Sequence, residues 1–274
     1  MRETFGLISG TKNEARSLPK FFEHHVWADE IILMDSFSVD ETYDICAKYG
    51  RKFYKAELSG NASKRLNLVL KECKSDWFIV IDPDEFISEQ LKSEIMVFLS
   101  QKDNEFVAFE FPRTNYFIDK PLLHGGWSGY ALKIFRKGHV EFQGNSYHEK
   151  PIISGKIGRL KGEVLHYPNP NIHWVMEKFN YISEFDLNEY FNRHGVLTPG
   201  KFKWLLLTRP LKNFWKCYVK KQGYKDGLHG FIYAALIWAQ DVIRICKYGE
   251  KFILKNPNLM PQDKLPDPWE CRKR

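Results

Sequence analysis

The residues of this chain best suited to chemistry are Asp82, Asp84 and Glu85, which stand together in the run Trp77-Phe78-Ile79-Val80-Ile81-Asp82-Pro83-Asp84-Glu85. Two carboxylates with one residue between them on a turn can present oxygens to a hard divalent cation, which can in turn hold the phosphates of a nucleotide. The apolar run before them is what must position them. A short Val/Ile/Phe/Trp segment reads as a buried parallel strand, and open α/β sheets bind ligands beyond the carboxyl ends of such strands. Asp and Pro also end strands through ordinary turn chemistry, so the rest of the chain has to decide.

The preceding residues supply the elements that such a site needs. Phe5 to Ser9 reads as a buried strand followed by the turn Thr11-Lys12-Asn13-Glu14, and Leu18, Phe21, Phe22 and Val26 then recur at helical spacing. Glu30 to Met34 is a second strand running into Asp35-Ser36-Phe37-Ser38-Val39-Asp40, with Asp40 as N-cap of a helix that Gly50 stops. Arg51 to Tyr54, a helix over Asn61 to Glu72, and Trp77 to Ile81 follow. Strands and helices thus alternate four times in about eighty residues, the pattern of a parallel sheet with right-handed crossovers.

After a helix capped by Ser88, the strands Glu105–Phe111, Tyr130–Phe135, His139–Phe142 and Gly162–His166 lack intervening helices, which predicts mixed or antiparallel pairing. Beyond Pro170 the pattern turns helical, over Trp174–Phe191 and again over Leu228–Tyr248. The boundaries that follow are 1–170 for an α/β domain, 171–255 for a helical extension and 256–274 for an extended, proline-bearing tail.

Composition narrows the class without choosing a function. A chain of 274 residues can bury a real core, and its net charge of +7 suits phosphate ligands, anionic membranes or nucleic acid alike. Five cysteines without a Cys-x-x-Cys pair argue against a disulfide scaffold or zinc site and for a reducing compartment. The apolar run at the amino terminus is too short for a signal peptide, and no stretch reaches the roughly eighteen apolar residues of a membrane span. The expectation is a cytoplasmic protein, soluble or peripheral on the inner face of a membrane.

With these motifs in order, the chain resembles the inverting glycosyltransferases of family 2, which have the GT-A fold, and within them the bacterial lipopolysaccharide core β-glycosyltransferases. The resemblance rests on Thr11-Lys12-Asn13-Glu14, on Asp29 through Thr42, and on Asp82-Pro83-Asp84-Glu85, with Arg136, Tyr147-His148-Glu149 and Leu165-His166-Tyr167 as later landmarks. It covers residues 1 to 170 and the helical part more loosely. The chain departs from the family where Phe37 and Val39 replace Gly and Thr, and where Leu66 replaces a basic residue before Asn67. Lys64 and Arg65 then stand in for the charge at the donor's diphosphate.

The resemblance implies a Rossmann-like, mostly parallel sheet flanked by helices and a metal-dependent transfer from a nucleotide sugar, UDP-linked, to a glycan or glycolipid. Thr11, Asn13 and Glu14, at the first strand's carboxyl end, line the base pocket, or else serve as helix caps. Asp35 accepts hydrogen bonds from base or ribose, with an Asx turn as its plainer role. By resemblance Asp82 faces the ribose and Asp84 binds Mn²⁺ or Mg²⁺, with Glu85 behind them. His166 is a candidate further ligand, set against the structural role that a lone histidine usually has. Glu149 is the implied base for the acceptor hydroxyl, with Asp119 and Glu141 behind it; the competing assignment makes His148 the base and Glu149 its partner.

Tyr116, Trp127, Trp174 and Tyr181 could stack on acceptor sugars, and Gly125 to Gly129 could close over the donor, although core packing and an ordinary turn account for the same residues. Lys201 to Lys225, basic and aromatic, admits a nucleic-acid-binding module as an alternative, but no recognised motif accompanies it and no nucleic acid is expected. A sugar nucleotidyltransferase would share the metal, yet the Gly-rich triphosphate loop is absent after the first strand. The same basic segment and the apolar run Gly230–Ala239 suit peripheral membrane contact, packing on the catalytic domain or a homo-oligomer.

Overall fold

A computed structural model describes residues 2–49, 52–55, 62–101, 104–143 and 150–254. The chain begins with β1 (Phe5–Thr11), α1 (Leu18–His24), β2 (Glu30–Asp35), α2 (Thr42–Lys48), β3 (Lys52–Lys55), α3 (Ala62–Glu72) and β4 (Trp77–Val80). β1 lies between β2 and β4 and is parallel to both, and β3 extends the parallel set beyond β2. Continuous apolar runs build this arrangement because both faces of the strands are covered: Phe5, Leu7, Ile8, Ile32, Leu33, Phe78 and Ile79 have no accessible surface. The sheet and crossovers are the Rossmann-like GT-A architecture that the motifs imply.

The second stretch comprises β5 (Glu85–Ile87), α4 (Glu89–Ser100), β6 (Phe106–Phe117), β7 (Lys120–Pro121), β8 (Gly129–Arg136), β9 (Val140–Gln143), β10 (Lys150–Ile153), β11 (Lys156–Arg159) and β12 (Val164–Asn169). The main sheet runs β3-β2-β1-β4-β8-β6-β12-β5, with β11 and β7 also paired to β6, and β9 and β10 pair antiparallel as a separate two-stranded sheet. β8 is antiparallel to β4 and β6, as the missing helices predict. The short strand β5 is not anticipated from the sequence. It arises because the chain turns at Asp82 to Asp84, where the Glu85 N–H donates to the Asp82 carbonyl at 3.0 Å, and then pairs antiparallel with β12.

α4 begins as expected at Ser88, whose hydroxyl accepts from the Leu91 N–H at 3.2 Å. α2 starts at Thr42 rather than directly after Asp40, with the Asp40 carboxylate accepting from the Thr42 N–H at 3.1 Å.

The remainder is helical: α5 (Ile172–His194), α6 (Pro199–Trp215), a π-helical turn over Lys216–Lys220, a 3₁₀ turn over Gly223–Asp226, and α7 (Gly227–Phe252). α6 is a full helix in a segment whose charge, rather than periodicity, dominates the sequence. By contacts the chain divides into two units, residues 1–113 with 129–166, and residues 114–128 with 167–274. The first has two cores, one on each face of the sheet: one around Phe5, Trp77, Phe98 and Phe109, the other around Ile8, Ile32, Phe78 and Phe135. In the second, Phe117, Leu122, Val175 and Phe179 form one core and Leu187, Tyr190, Ile245 and Tyr248 another. Among the described residues no helix is long and apolar enough to cross a membrane. The tail from residue 256 lies outside the described residues.

Candidate active site

Three parallel strands deliver the first group of side chains to one edge. Thr11 and Asp35 are register partners at the ends of β1 and β2, and Val80 of β4 is the partner of Ile8. The ladder continues as the Ile81 N–H donates to the Ile8 carbonyl at 3.0 Å, so Asp82 leaves the sheet beside the end of β1. Thr11 Oγ1 lies 3.4 Å from Asp35 Oδ1.

The loops after β1 and β2 are tied to each other. Asp35 is buried, its Oδ2 accepts from the Ser38 N–H at 2.9 Å, and its other oxygen accepts from the Ser38 hydroxyl. Ser38 Oγ accepts from the Asn13 N–H at 2.8 Å, and Asn13 Oδ1 accepts from the Val39 N–H at 2.9 Å. The Glu14 N–H donates to Thr42 Oγ1 at 3.0 Å, while the Glu14 carboxylate accepts from the Ser17 hydroxyl at 2.9 Å. Asp35 and Asn13 therefore have turn-forming roles whatever else they touch. Phe37 sits at φ 55° with its ring exposed, in a left-handed conformation that glycine adopts freely; this is the physical sense of the glycine found at that place in the resembling family.

The second group gathers around the turn after β4. Glu85 has no accessible side-chain surface and is held by Lys133 Nζ at 2.8 Å and by Arg113 Nε. Its Oε2 also accepts from the Asp82 N–H at 3.0 Å, which fixes the start of the turn. Lys133 Nζ lies 3.7 Å from Asp82 Oδ2. Burial alone would push the Glu85 carboxyl up, but Lys133 and Arg113 outweigh it and hold the carboxyl below the usual range. Burial would likewise lower Lys133, and Asp82 and Glu85 reverse the sign, keeping its ammonium charged.

Asp82 keeps 53% of its side-chain surface open to solvent while protein atoms crowd its other sides. That crowding pushes its carboxyl up; Lys133 and His166 oppose the shift, and Glu85 and Asp84 reinforce it.

His166 arrives by register. It is the antiparallel partner of Glu85, and its Nε2 lies 3.5 Å from Asp84 Oδ1. Among the described residues no three His, Cys, Asp or Glu side chains form a cage for an ion. The donor chemistry present, one carboxylate with an imidazole and a second carboxylate nearby, fits a cation that takes its remaining ligands from phosphate oxygens and water, as Mg²⁺ commonly does.

The remaining sequence candidates lie on other elements. Lys64 is exposed and Arg65 half-buried in the first turn of α3, and Leu66 between Arg65 and Asn67 is core. Arg136 is the register partner of Trp77, at the amino end of β4 and so at the opposite edge of the sheet from Asp82, where it pairs with Glu3. Glu149 and His148, with Tyr147, lie outside the described residues; Glu141 is exposed on β9.

In the second unit, Tyr116 stacks on Tyr167 with ring centroids 4.4 Å apart, and Trp127 packs edge-on against Tyr233 at 4.7 Å. Asp119 is bonded to His229 at 2.8 Å, a contact that holds its carboxyl below the usual range. The Gly125–Gly129 turn is pinned rather than loose: the Gly125 N–H donates to the Lys221 carbonyl at 2.8 Å, and Ser128 Oγ donates to the Leu122 carbonyl at 2.6 Å.

Lys133 and Arg113 escape a reading by motif. Their signal is a lone cation inside an apolar strand, Leu132-Lys133-Ile134, and another at the end of Phe109-Glu110-Phe111-Pro112-Arg113.

Residues 7–158, more than half of the chain, match the family model described as glycosyl transferase family 2. The chain belongs to that family. As a family 2 glycosyltransferase it is 23% identical over 276 residues to an uncharacterized glycosyltransferase of Rickettsia felis, covering 96% of this chain and 94% of the relative. A second uncharacterized glycosyltransferase, from Rickettsia conorii, is 24% identical over 247 residues, covering 86% and 85%.

Among solved structures, this family 2 glycosyltransferase is similar to S. aureus TarS (TM-score 0.46, 16% identity), spanning 90% of this chain but only 55% of that one. It is also similar to glucosyl-3-phosphoglycerate synthase from Mycobacterium tuberculosis in complex with Mn²⁺, UDP and glucosyl-3-phosphoglycerate (TM-score 0.32, 16% identity, 42% of this chain and 44% of that one).

Proposed function

We propose that this glycosyltransferase is metal-dependent and inverting, and moves a hexose from a UDP-linked donor to a glycan or glycolipid acceptor such as a lipopolysaccharide core. The observation that carries the proposal is the gathering of Thr11, Asp35, Asp82, Asp84 and His166 around the carboxyl ends of β1, β2 and β4, in a chain matching the family over residues 7–158. This is where open α/β sheets bind nucleotides.

Thr11, Asn13 and Glu14 line the base pocket, Asp35 meets base or ribose and Asp82 the ribose, and Lys64 and Arg65 meet the diphosphate. Asp84, with His166 and Asp82, holds Mg²⁺ or Mn²⁺. When bound, that cation neutralises charge growing on the departing nucleoside diphosphate. Lys133, with its Nζ 3.7 Å from Asp82 Oδ2, keeps that carboxylate oriented.

In the transfer the acceptor oxygen bonds to the anomeric carbon as the bond to the diphosphate breaks, and the hydroxyl proton passes to a side-chain base. Glu149 takes that proton with His148 beside it, or His148 takes it with Glu149 orienting the ring. Tyr116 and Trp127 offer aromatic faces for the acceptor.

Titration calorimetry of UDP with and without Mn²⁺ tests the donor half. Asp84→Ala should abolish the metal-dependent part of the binding, and unchanged metal-dependent affinity would refute the assignment. Glu149→Gln should keep UDP affinity and lower transfer by about 10²–10⁴-fold. Full transfer activity in that variant would place the base elsewhere.

A further inference from the structure

The basic excess of this protein sits in one place. Residues 190–225 hold nine lysines and arginines and no aspartate or glutamate, whereas the whole chain carries +7, so everything outside this run sums to −2. α6 and the π-helical turn after it form the centre of the run.

Their bare side is apolar. Trp204 is 71% exposed, Leu207 66%, Leu211 61% and Trp215 55%, at positions i, i+3, i+7 and i+11, which share one helical face, and Val219 extends the row. Exposed lysines 201, 203, 212, 216 and 220 flank the row. Arg209 is turned away from it, its guanidinium 4.9 Å over the Tyr190 ring.

The apolar run of α7 behaves differently. Ile232, Tyr233, Leu236 and Ile237 pack against the core of Phe117, Leu122, Val175 and Phe179, and Ala234 is fully buried. Most of this hydrophobic segment is thus spent on packing, although Phe231 and Trp238 remain partly exposed, and the continuous uncovered stripe belongs to α6.

We infer that the α6 face of Trp204, Leu207, Leu211 and Trp215 is a docking surface for an anionic lipid bilayer. A single apolar stripe with indoles near both ends and lysines on its flanks is what an interfacial helix presents: the aliphatic groups enter the acyl boundary, the indoles sit at headgroup level and the ammonium groups meet lipid phosphates. Charge complementarity selects this occupant over a neutral one. The aliphatic Leu207, Leu211 and Val219 select it over nucleic acid, which calls for stacking faces and cations but has no use for an aliphatic row. This surface is independent of the sugar chemistry, and its failure would leave the glycosyltransferase assignment untouched.

Co-sedimentation of the full chain with phosphatidylglycerol/phosphatidylcholine vesicles at low salt, together with quenching of tryptophan fluorescence by brominated lipid, tests the inference. Wild type should bind the anionic vesicles, be quenched, and bind pure phosphatidylcholine at least about tenfold more weakly. Joint replacement Lys201→Glu, Lys212→Glu, Lys216→Glu and Lys220→Glu should weaken binding at least about a hundredfold. Trp204→Ala with Trp215→Ala should remove quenching and most of the binding. Both sets lie on the surface, and an unchanged thermal midpoint shows that the variants are folded.

Absence of wild-type binding to anionic vesicles would overturn the inference, as would full binding by the double tryptophan variant. Tighter binding to single-stranded RNA than to vesicles, lost in the lysine variant, would reassign the face to nucleic acid. A dimer in analytical ultracentrifugation that dissociates in the tryptophan variant, without vesicle binding by the wild type, would reassign it to a second copy of this chain.

Discussion

Glu85 carries a full charge with no accessible side-chain surface, between Lys133 and Arg113, whose own side chains remain about a quarter exposed. Removing one partner of a buried ionic group leaves the others uncompensated, while the partial exposure of the two cations lets water relieve some of the cost. Glu85→Gln should therefore destabilise the protein by about 3 kcal/mol at pH 7 in urea unfolding, and a loss under about 1 kcal/mol would refute the clamp. A second residue-scale expectation concerns His25, which has no accessible surface. Its Nδ1 lies 2.9 Å from the Phe21 carbonyl and so donates, and its Nε2 accepts from the Ile87 N–H at 3.4 Å, a pattern that only the neutral ring satisfies. Burial, with His24 adding to it, pushes its pKa down to about 3. Between the unfolded value near 6.5 and about 3, the unfolded chain binds a proton that the native chain refuses, so stability is full above that window and falls as the pH drops through it. Urea midpoints from pH 7 to pH 4 should show His25→Gln losing less stability with acid than wild type, by up to about 1.4 kcal/mol per pH unit. Parallel profiles would show that His25 does not carry the effect.

At the scale of elements, the site depends on β5 and β12 lying side by side, because that pairing sets His166 opposite Glu85. The approach to β12 is tight. A Cβ on Gly162 would fall 2.2 Å from the backbone nitrogen of Leu91 in α4, and Ser88 and Glu94 of the same region accept from the N–H groups of Glu163 and Lys161 at 3.1 and 2.8 Å. Gly162→Ala forces helix and strand apart where neither has a flexible side chain to yield. A cost of roughly 2–3 kcal/mol is expected, with weaker metal-dependent UDP binding in the same variant. Thermal unfolding beside calorimetry checks both, and a variant as stable as wild type would show that the contact relaxes cheaply.

For the whole molecule, every described residue proposed for the donor, from Thr11 to His166, falls in the first of the two units. A ligand that binds only native protein stabilises it by about 2.7 kcal/mol at a hundredfold excess over its dissociation constant, roughly 5–10 °C in midpoint for a domain of this size. UDP with Mn²⁺ should therefore raise the unfolding temperature of wild type, and EDTA or Asp84→Ala should cancel the rise. If calorimetry resolves two transitions, the first unit's should move and the other stay. A shift confined to the other unit would place the nucleotide outside the proposed site.

The sequence by itself determined what short-range chemistry controls. Apolar runs of five to seven residues separated by amphipathic helices specify the parallel strands, and Ser88 announces its helix because an N-cap is read within four residues. Asp82 and Asp84 follow an apolar strand, so their position at its carboxyl end needs no knowledge of distant residues. Tertiary structure alone decided the partners. His166 reaches Asp84 only through the β5–β12 register, Lys133 and Arg113 reach Glu85 across 48 and 28 residues, and Arg136, as suggestive in sequence as either cation, goes to the other edge of the sheet. It also decided that most of the apolar run of α7 packs inward while the row on α6 stays bare. In each case the physical reason is the same: strand register and helix rotation are set by the packing of a whole core, and a one-residue change in either sends a side chain to the opposite face without altering the local pattern that predicts the element.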